Sequence, residues 1–154
     1  MPVLIICIGN KYRSDDAVGL IVADRLRALN IPDCEITTTS GEGVSLINMW
    51  EGHSLVILVD AVTSNSPVGT IHRLDANDTE IEIEWFQTST HLFSIPEAIK
   101  LAKQLDRLPE RLIIYGVEGG TFEYGEGVSS EVNSAIDQLL PRLSDEVAGL
   151  GPTT

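Results

Sequence analysis

The chain has 154 residues, enough for one domain to bury a core without disulfides or a structural metal. Its hydrophobic fraction is 43%, and its formal net charge of −13, interrupted by no Lys/Arg cluster, disfavours nucleic acid and anionic membranes as partners. Cys7 and Cys34 carry no metal-site or redox spacing and read as two buried thiols of a reducing compartment; no apolar run suits a signal peptide or a membrane span, so a soluble cytoplasmic protein is expected.

Val3 to Ile8 is a continuous apolar run of strand length, as in a parallel sheet covered on both faces. It breaks at Gly9-Asn10, and a loop ending in Asp15-Asp16 leads to a helix with Val18, Ile21, Val22, Leu26 and Leu29 on its inner side. This strand, loop and helix form the first half of a βαβ unit. A dinucleotide site is disfavoured here: Gly9 is the only glycine of that loop, the second strand ends in Thr37, Thr38, Thr39 and Ser40 without an acid, and carboxylates at a helix start repel phosphate.

Pro32-Asp33 marks a turn, and Glu35 to Thr39 reads as a second strand outside the first. The loop Ser40 to Ser45 enters a short helix through Leu46, Ile47 and Trp50. Ser54 to Val59 is a buried strand ending on Asp60, at the edge where open α/β sheets place their ligands. A loop between Val62 and Val68 precedes a short edge strand, Thr70 to Leu74, expected to pair antiparallel. Asn77 to Gln87 alternates Ile81, Ile83 and Trp85 with Glu80, Glu82 and Glu84, which fits an extended piece or an ordered loop. Ser89 can cap a helix carrying Leu92, Ile95, Ala98, Ile99 and Leu101, with Pro96 in its early turns. Leu112 to Val117 is another buried parallel strand, followed by a long loop rich in glycine and acid whose Glu118, Glu123 and Glu126 read as solvated. Ser129 or Ser130 starts a last helix with Val132, Ala135, Ile136, Leu139 and Leu143 inward, which Pro141 should kink or interrupt. The expected fold is a single three-layer α/β domain over residues 1–148, an open twisted, mostly parallel sheet with helices on both faces, and a frayed tail over 149–154.

Loops after neighbouring strands at a switch point open on one edge, so Asp15/Asp16 and Asp60 should converge, with His91 joining from its helix N-terminus. His53 precedes a strand and belongs to the opposite edge, while His72 lies within the short edge strand. Two carboxylates and an imidazole suit an open site for zinc, nickel or manganese. The plainer alternative is that Ser14, Asp15 and Asp16 cap a helix and complement its dipole, and that Asp60 holds a turn. No nucleophile elbow, histidine pair or phosphate loop offers other chemistry.

The chain resembles the hydrogenase maturation endopeptidases over nearly its whole length. The resemblance rests on Gly9-Asn10, Asp15-Asp16 and Gly19, the SGEG loop before Leu46-Ile47, Asp60-Ala61, Ser89-Thr90-His91-Leu92 and a turn at Gly116-Val117-Glu118. It implies an endopeptidase that removes the C-terminal extension of a nickel-iron hydrogenase large-subunit precursor after nickel insertion. It further implies that Asp16, Asp60 and His91 contact that nickel, supplied by the substrate, and carry catalysis. Two departures stand out: Ala17 replaces a common glycine, and Thr39-Ser40 stands where relatives often have Asp-Gly. A non-enzymatic metal or small-ligand binding module on the same scaffold, or a protease with another substrate, is the alternative.

Overall fold

The computed structural model describes residues 2–10, 12, 14–40, 43–77, 95–120, 125 and 127–149, with residues 43–44 described as backbone only. Five strands form one sheet: β1 (Val3–Ile8), β2 (Cys34–Thr39), β3 (Leu55–Val62), β4 (Ile71–Asp75) and β5 (Arg111–Glu118), in the order β2-β1-β3-β5-β4. All neighbours are parallel except β4, which runs antiparallel to β5 at the edge. This is the expected mostly parallel architecture. Chain order reverses direction between β1 and β3, which makes that gap the switch point.

Helices α1 (Val18–Leu29) and α4 (Ser130–Val147) cover one face, and α2 (Gly43–Trp50) and α3 (Ile95–Gln104) cover the other. Alternation along each strand divides the core between them. Ile57, Val59 and Ala61 pack with Val22, Leu26, Ile136 and Leu139, while Val56, Leu58 and Val62 pack with Leu46, Trp50, Ala98 and Ile99. A charged tie adds to the first face: Glu146, 2% exposed, accepts bonds from Arg73 Nε at 2.7 Å and Tyr115 Oη at 2.9 Å. Burial pushes the Glu146 carboxyl up, but these two hydrogen bonds outweigh it and hold it below the usual range.

Two glycines bring α1 close to β1. A Cβ on Gly19 would collide with the backbone of Ile8, and one on Gly9 would lie 2.5 Å from the Asp16 carbonyl oxygen. That oxygen accepts a bond from Asn10 N–H at 3.0 Å, closing the loop after β1 on itself. The helix ends where Asn30 turns left-handed at φ 51° ahead of Pro32.

Several expectations shift. Leu29 is 52% exposed, because it lies on the last turn of α1 beyond the sheet. Cys7 is buried, with burial pushing its thiol up to about 12, but Cys34 is only half-buried on the edge strand. β3 does not end at Asp60 but continues to Val62, and Gly116-Val117-Glu118 is strand rather than turn, because these two ends pair with each other in register. Pro141 does not interrupt α4: it sits on the exposed side, where water can serve the carbonyl it leaves without a donor. Residues 78–94, including the Ile81 to Trp85 alternation and the Ser89 cap, lie outside the described residues, and Pro96 falls in the first turn of α3.

Candidate active site

The loops after β1 and β3 meet at the switch point. Asp15 and Asp16 occupy a 3-10 turn, Ser14–Ala17, ahead of α1, and both are buried, at 0% and 7% exposure. Their side chains do different things. The Asp15 carboxylate accepts bonds from Ser129 N–H at 2.7 Å, Gly120 N–H at 2.7 Å and Ser129 Oγ at 3.1 Å. It therefore fastens the first loop to the loop after β5 and to the N-cap of α4, a helix other than its own. Asp15 thus ties loops together at this edge, while Asp16 is the acid whose charge is felt by Asp60. The capping alternative is changed: the N-cap of α1 is Ala17, which makes no side-chain cap bond.

Asp60 lies one residue beyond the last register pair of β1 and β3, Cys7 with Val59. It is 2% exposed, and its Oδ1 accepts the Ala61 N–H at 2.8 Å. Burial and then the negative charge of Asp16 push the Asp60 carboxyl well above the usual range, with the Ala61 bond opposing them. Two carboxylates 44 positions apart in sequence, one on the turn after β1 and one within β3, thus feel each other across the switch point. Such a pair is relieved by one shared proton or by a cation between them. His91 lies outside the described residues, as do Glu123 and Glu126. Among the described residues no group of three possible ligands is gathered closely enough to hold a metal. His53 is at the opposite edge as expected, with Nδ1 3.0 Å from the Pro2 carbonyl oxygen. A cavity of about 380 Å³ lined by Trp50, His53 and Arg107 also opens at that edge, away from the carboxylate pair.

Glu118 was expected to be solvated and is instead 2% exposed at the end of β5. Its carboxylate accepts bonds from Ser64 N–H at 2.8 Å and Ser64 Oγ at 2.7 Å, and His72 Nε2 lies 3.0 Å from Oε1. These contacts satisfy the buried acid and pin the loop that follows Asp60 to β4 and β5. The geometry is not that of a catalytic triad, because Ser64 and the carboxylate both meet the same imidazole nitrogen. One sequence signal for this cluster was the polar Ser64-to-Ser66 run followed by His72 on an edge strand.

The family model described as hydrogenase maturation protease matches residues 33–146. The chain belongs to this family. Its relatives include a named hydrogenase maturation protease, and its structural neighbours a named hydrogenase maturating endopeptidase. A Methanocaldococcus jannaschii protein, provisionally named for the same family, is 27% identical over 151 residues, covering 94% of this chain and 96% of its own. The Escherichia coli hydrogenase 2 maturation protease is 25% identical over 148 residues, covering 93% and 88%. The crystal structure of a nickel-iron hydrogenase maturation protease from Thermococcus kodakarensis superposes with a TM-score of 0.75 at 24% identity, over 96% of this chain and 92% of that one. An endopeptidase from Escherichia coli reaches a TM-score of 0.81 at 20% identity, over 98% and 96%. No helix among the described residues of this maturation protease is long and apolar enough to cross a membrane.

Proposed function

We propose that this maturation protease removes the C-terminal extension of a nickel-iron hydrogenase large-subunit precursor once nickel is in place, and that Asp16, Asp60 and His91 meet the nickel. The observation that carries this reading is the Asp16/Asp60 pair: two buried carboxylates, mutually repelling, at the switch-point edge of a protease fold. A divalent cation arriving with the substrate offsets that repulsion, so the same contact that recognises the loaded subunit also brings its chain beside the carboxylates. One of the pair then activates water against the scissile bond, the role a positioned carboxylate with a shifted proton affinity can fill. Asp15 and Glu118 hold the flanking loops and take no part in the chemistry.

The test is the mass of the precursor after incubation with the parent protein, Asp16→Asn or Asp60→Asn. The parent should yield a product shortened at its C-terminus, and each variant should be slower by roughly a hundredfold or more, with melting temperatures not lowered. Variants that process the precursor at the parent rate would remove both carboxylates from the mechanism. No processing of any hydrogenase precursor by the parent would move the weight to a metal-binding module.

A further inference from the structure

The ladder from β3 to β1 ends at Cys7 with Val59, but the ladder to β5 continues through Asp60 with Gly116 and Ala61 with Val117 to Val62 with Glu118. Beyond Val59 it is therefore β5 that holds the strand, and what secures the last pairs secures Asp60. The approach is close: a Cβ on Gly116, opposite Asp60, would lie 2.9 Å from Val62 Cγ1. Strand ends open locally unless they are tied, and Glu118 ties this one from several directions. Its Oε2 accepts the Ser64 N–H at 2.8 Å and its Oε1 the Ser64 hydroxyl at 2.7 Å. Its backbone N–H donates to the Thr70 carbonyl oxygen at 2.8 Å, and its own carbonyl oxygen accepts the Gly69 N–H at 2.8 Å. The next residue, Gly119, donates its N–H to the Val62 carbonyl oxygen at 3.0 Å.

The same stretch reaches the other carboxylate. Gly120 N–H donates to Asp15 Oδ2 at 2.7 Å, and Asp16 is the next residue of that turn. Residues 118–120 thus hold the segment after Asp60 at one end and the turn bearing Asp16 at the other. A buried carboxylate is a costly join, because its desolvation offsets much of what its bonds return, and an apolar contact would stabilise the loops as well. What the acid adds is direction, since charge-assisted bonds fix a donor to each oxygen. Direction matters at this site, where reacting groups must be held to within about 0.5 Å.

We infer that Glu118 is a positioning residue for the reaction: through Ser64 it fixes the end of β3, and so the place of Asp60 relative to Asp16. The inference rests on the reading of Asp16 and Asp60 as the carboxylates that meet nickel and act at the scissile bond. Glu118 acts only where Asp60 acts, so the effects of losing the two are not additive.

The experiment follows the mass of the nickel-loaded precursor over time with Glu118→Ala, Glu118→Gln and Ser64→Ala, each in the parent and in the Asp60→Asn background, together with amide hydrogen exchange of the same proteins. Glu118→Ala should slow processing by roughly tenfold or more and Ser64→Ala by about fivefold. Glu118→Gln keeps an oxygen for the Ser64 N–H and an NH2 for the Ser64 hydroxyl, and should stay within about twofold of the parent. In the Asp60→Asn background each change should cost less than about twofold. Exchange at Ala61 and Gly119 should rise in Glu118→Ala by roughly tenfold more than at Ile57, which separates an opened strand end from a general loss of stability. Ser64→Ala, at a half-buried position, carries the same test where Glu118→Ala does not fold. Losses as large without Asp60 as with it overturn the inference, as does exchange at Ala61 and Gly119 that rises no more than at Ile57. Exchange that rises as expected, with a parent that leaves the precursor intact, supports the hold on Asp60 and overturns the proteolytic reading.

Discussion

Successive residues of a 3-10 turn point about 120° apart, and this is how Asp15 reaches α4 while its neighbour Asp16 stays within electrostatic range of Asp60. The difference sets two expectations. Asp15→Ala takes the acceptor from the half-buried Ser129 N–H and from the Gly120 N–H, so it should cost about 1 to 2 kcal/mol. Reversible denaturant unfolding measures this, and a cost near zero would mean that the tie is replaced by water at no penalty. Asp60 behaves in the opposite sense. Its folded carboxyl titrates above the unfolded value of about 3.9, so between those two values the folded state holds more protons and stability falls as pH rises. Asp60→Asn removes that loss. With a chelator present, the variant should melt higher than the parent at neutral pH, and the gap should close as pH falls below about 4. A pH-independent gap, or a less stable variant at neutral pH, would show that burial and Asp16 do not raise the Asp60 carboxyl as described. Neither role is legible in the dipeptide itself, since the partners of Asp15 lie 105 and 114 positions away.

At the scale of elements, the strands that sequence reads most easily are those covered on both faces. Val3–Ile8, and the apolar parts of β3 and β5, announce themselves as unbroken hydrophobic runs because helices lie above and below them. Ile57 sits in the middle of β3, fully buried and flanked by β1 and β5. Ile57→Ala should therefore destabilise the protein by about 2 to 5 kcal/mol, read from the shift in denaturation midpoint at constant slope; a change within error would take it out of the core. The strand ends are harder to read. Asp60 and Glu118 look like loop residues, yet they remain in the sheet because each finds a hydrogen-bond donor: Ala61 N–H for one, Ser64 for the other. Ser64 lies 54 positions from Glu118, and no local pattern reports a partner at that distance. Leu29 shows the reverse error, an apolar residue at helical spacing on a turn that has run past the surface it would cover.

For the molecule as a whole, the topology brings the loops after β1 and β3 together at one edge and so makes a site from residues far apart in the chain. The net charge of −13 argues against a general peptide cleft, and the buried carboxylate pair argues for a cationic visitor. On the function proposed above, nickel in the substrate is the condition for activity. The direct measurement is the mass of the large-subunit precursor after incubation with this protein, with nickel-loaded and nickel-free precursor in parallel. The nickel-loaded precursor should be shortened at its C-terminus and the nickel-free precursor left intact. Equal cleavage of both would contradict nickel recognition by Asp16, Asp60 and His91.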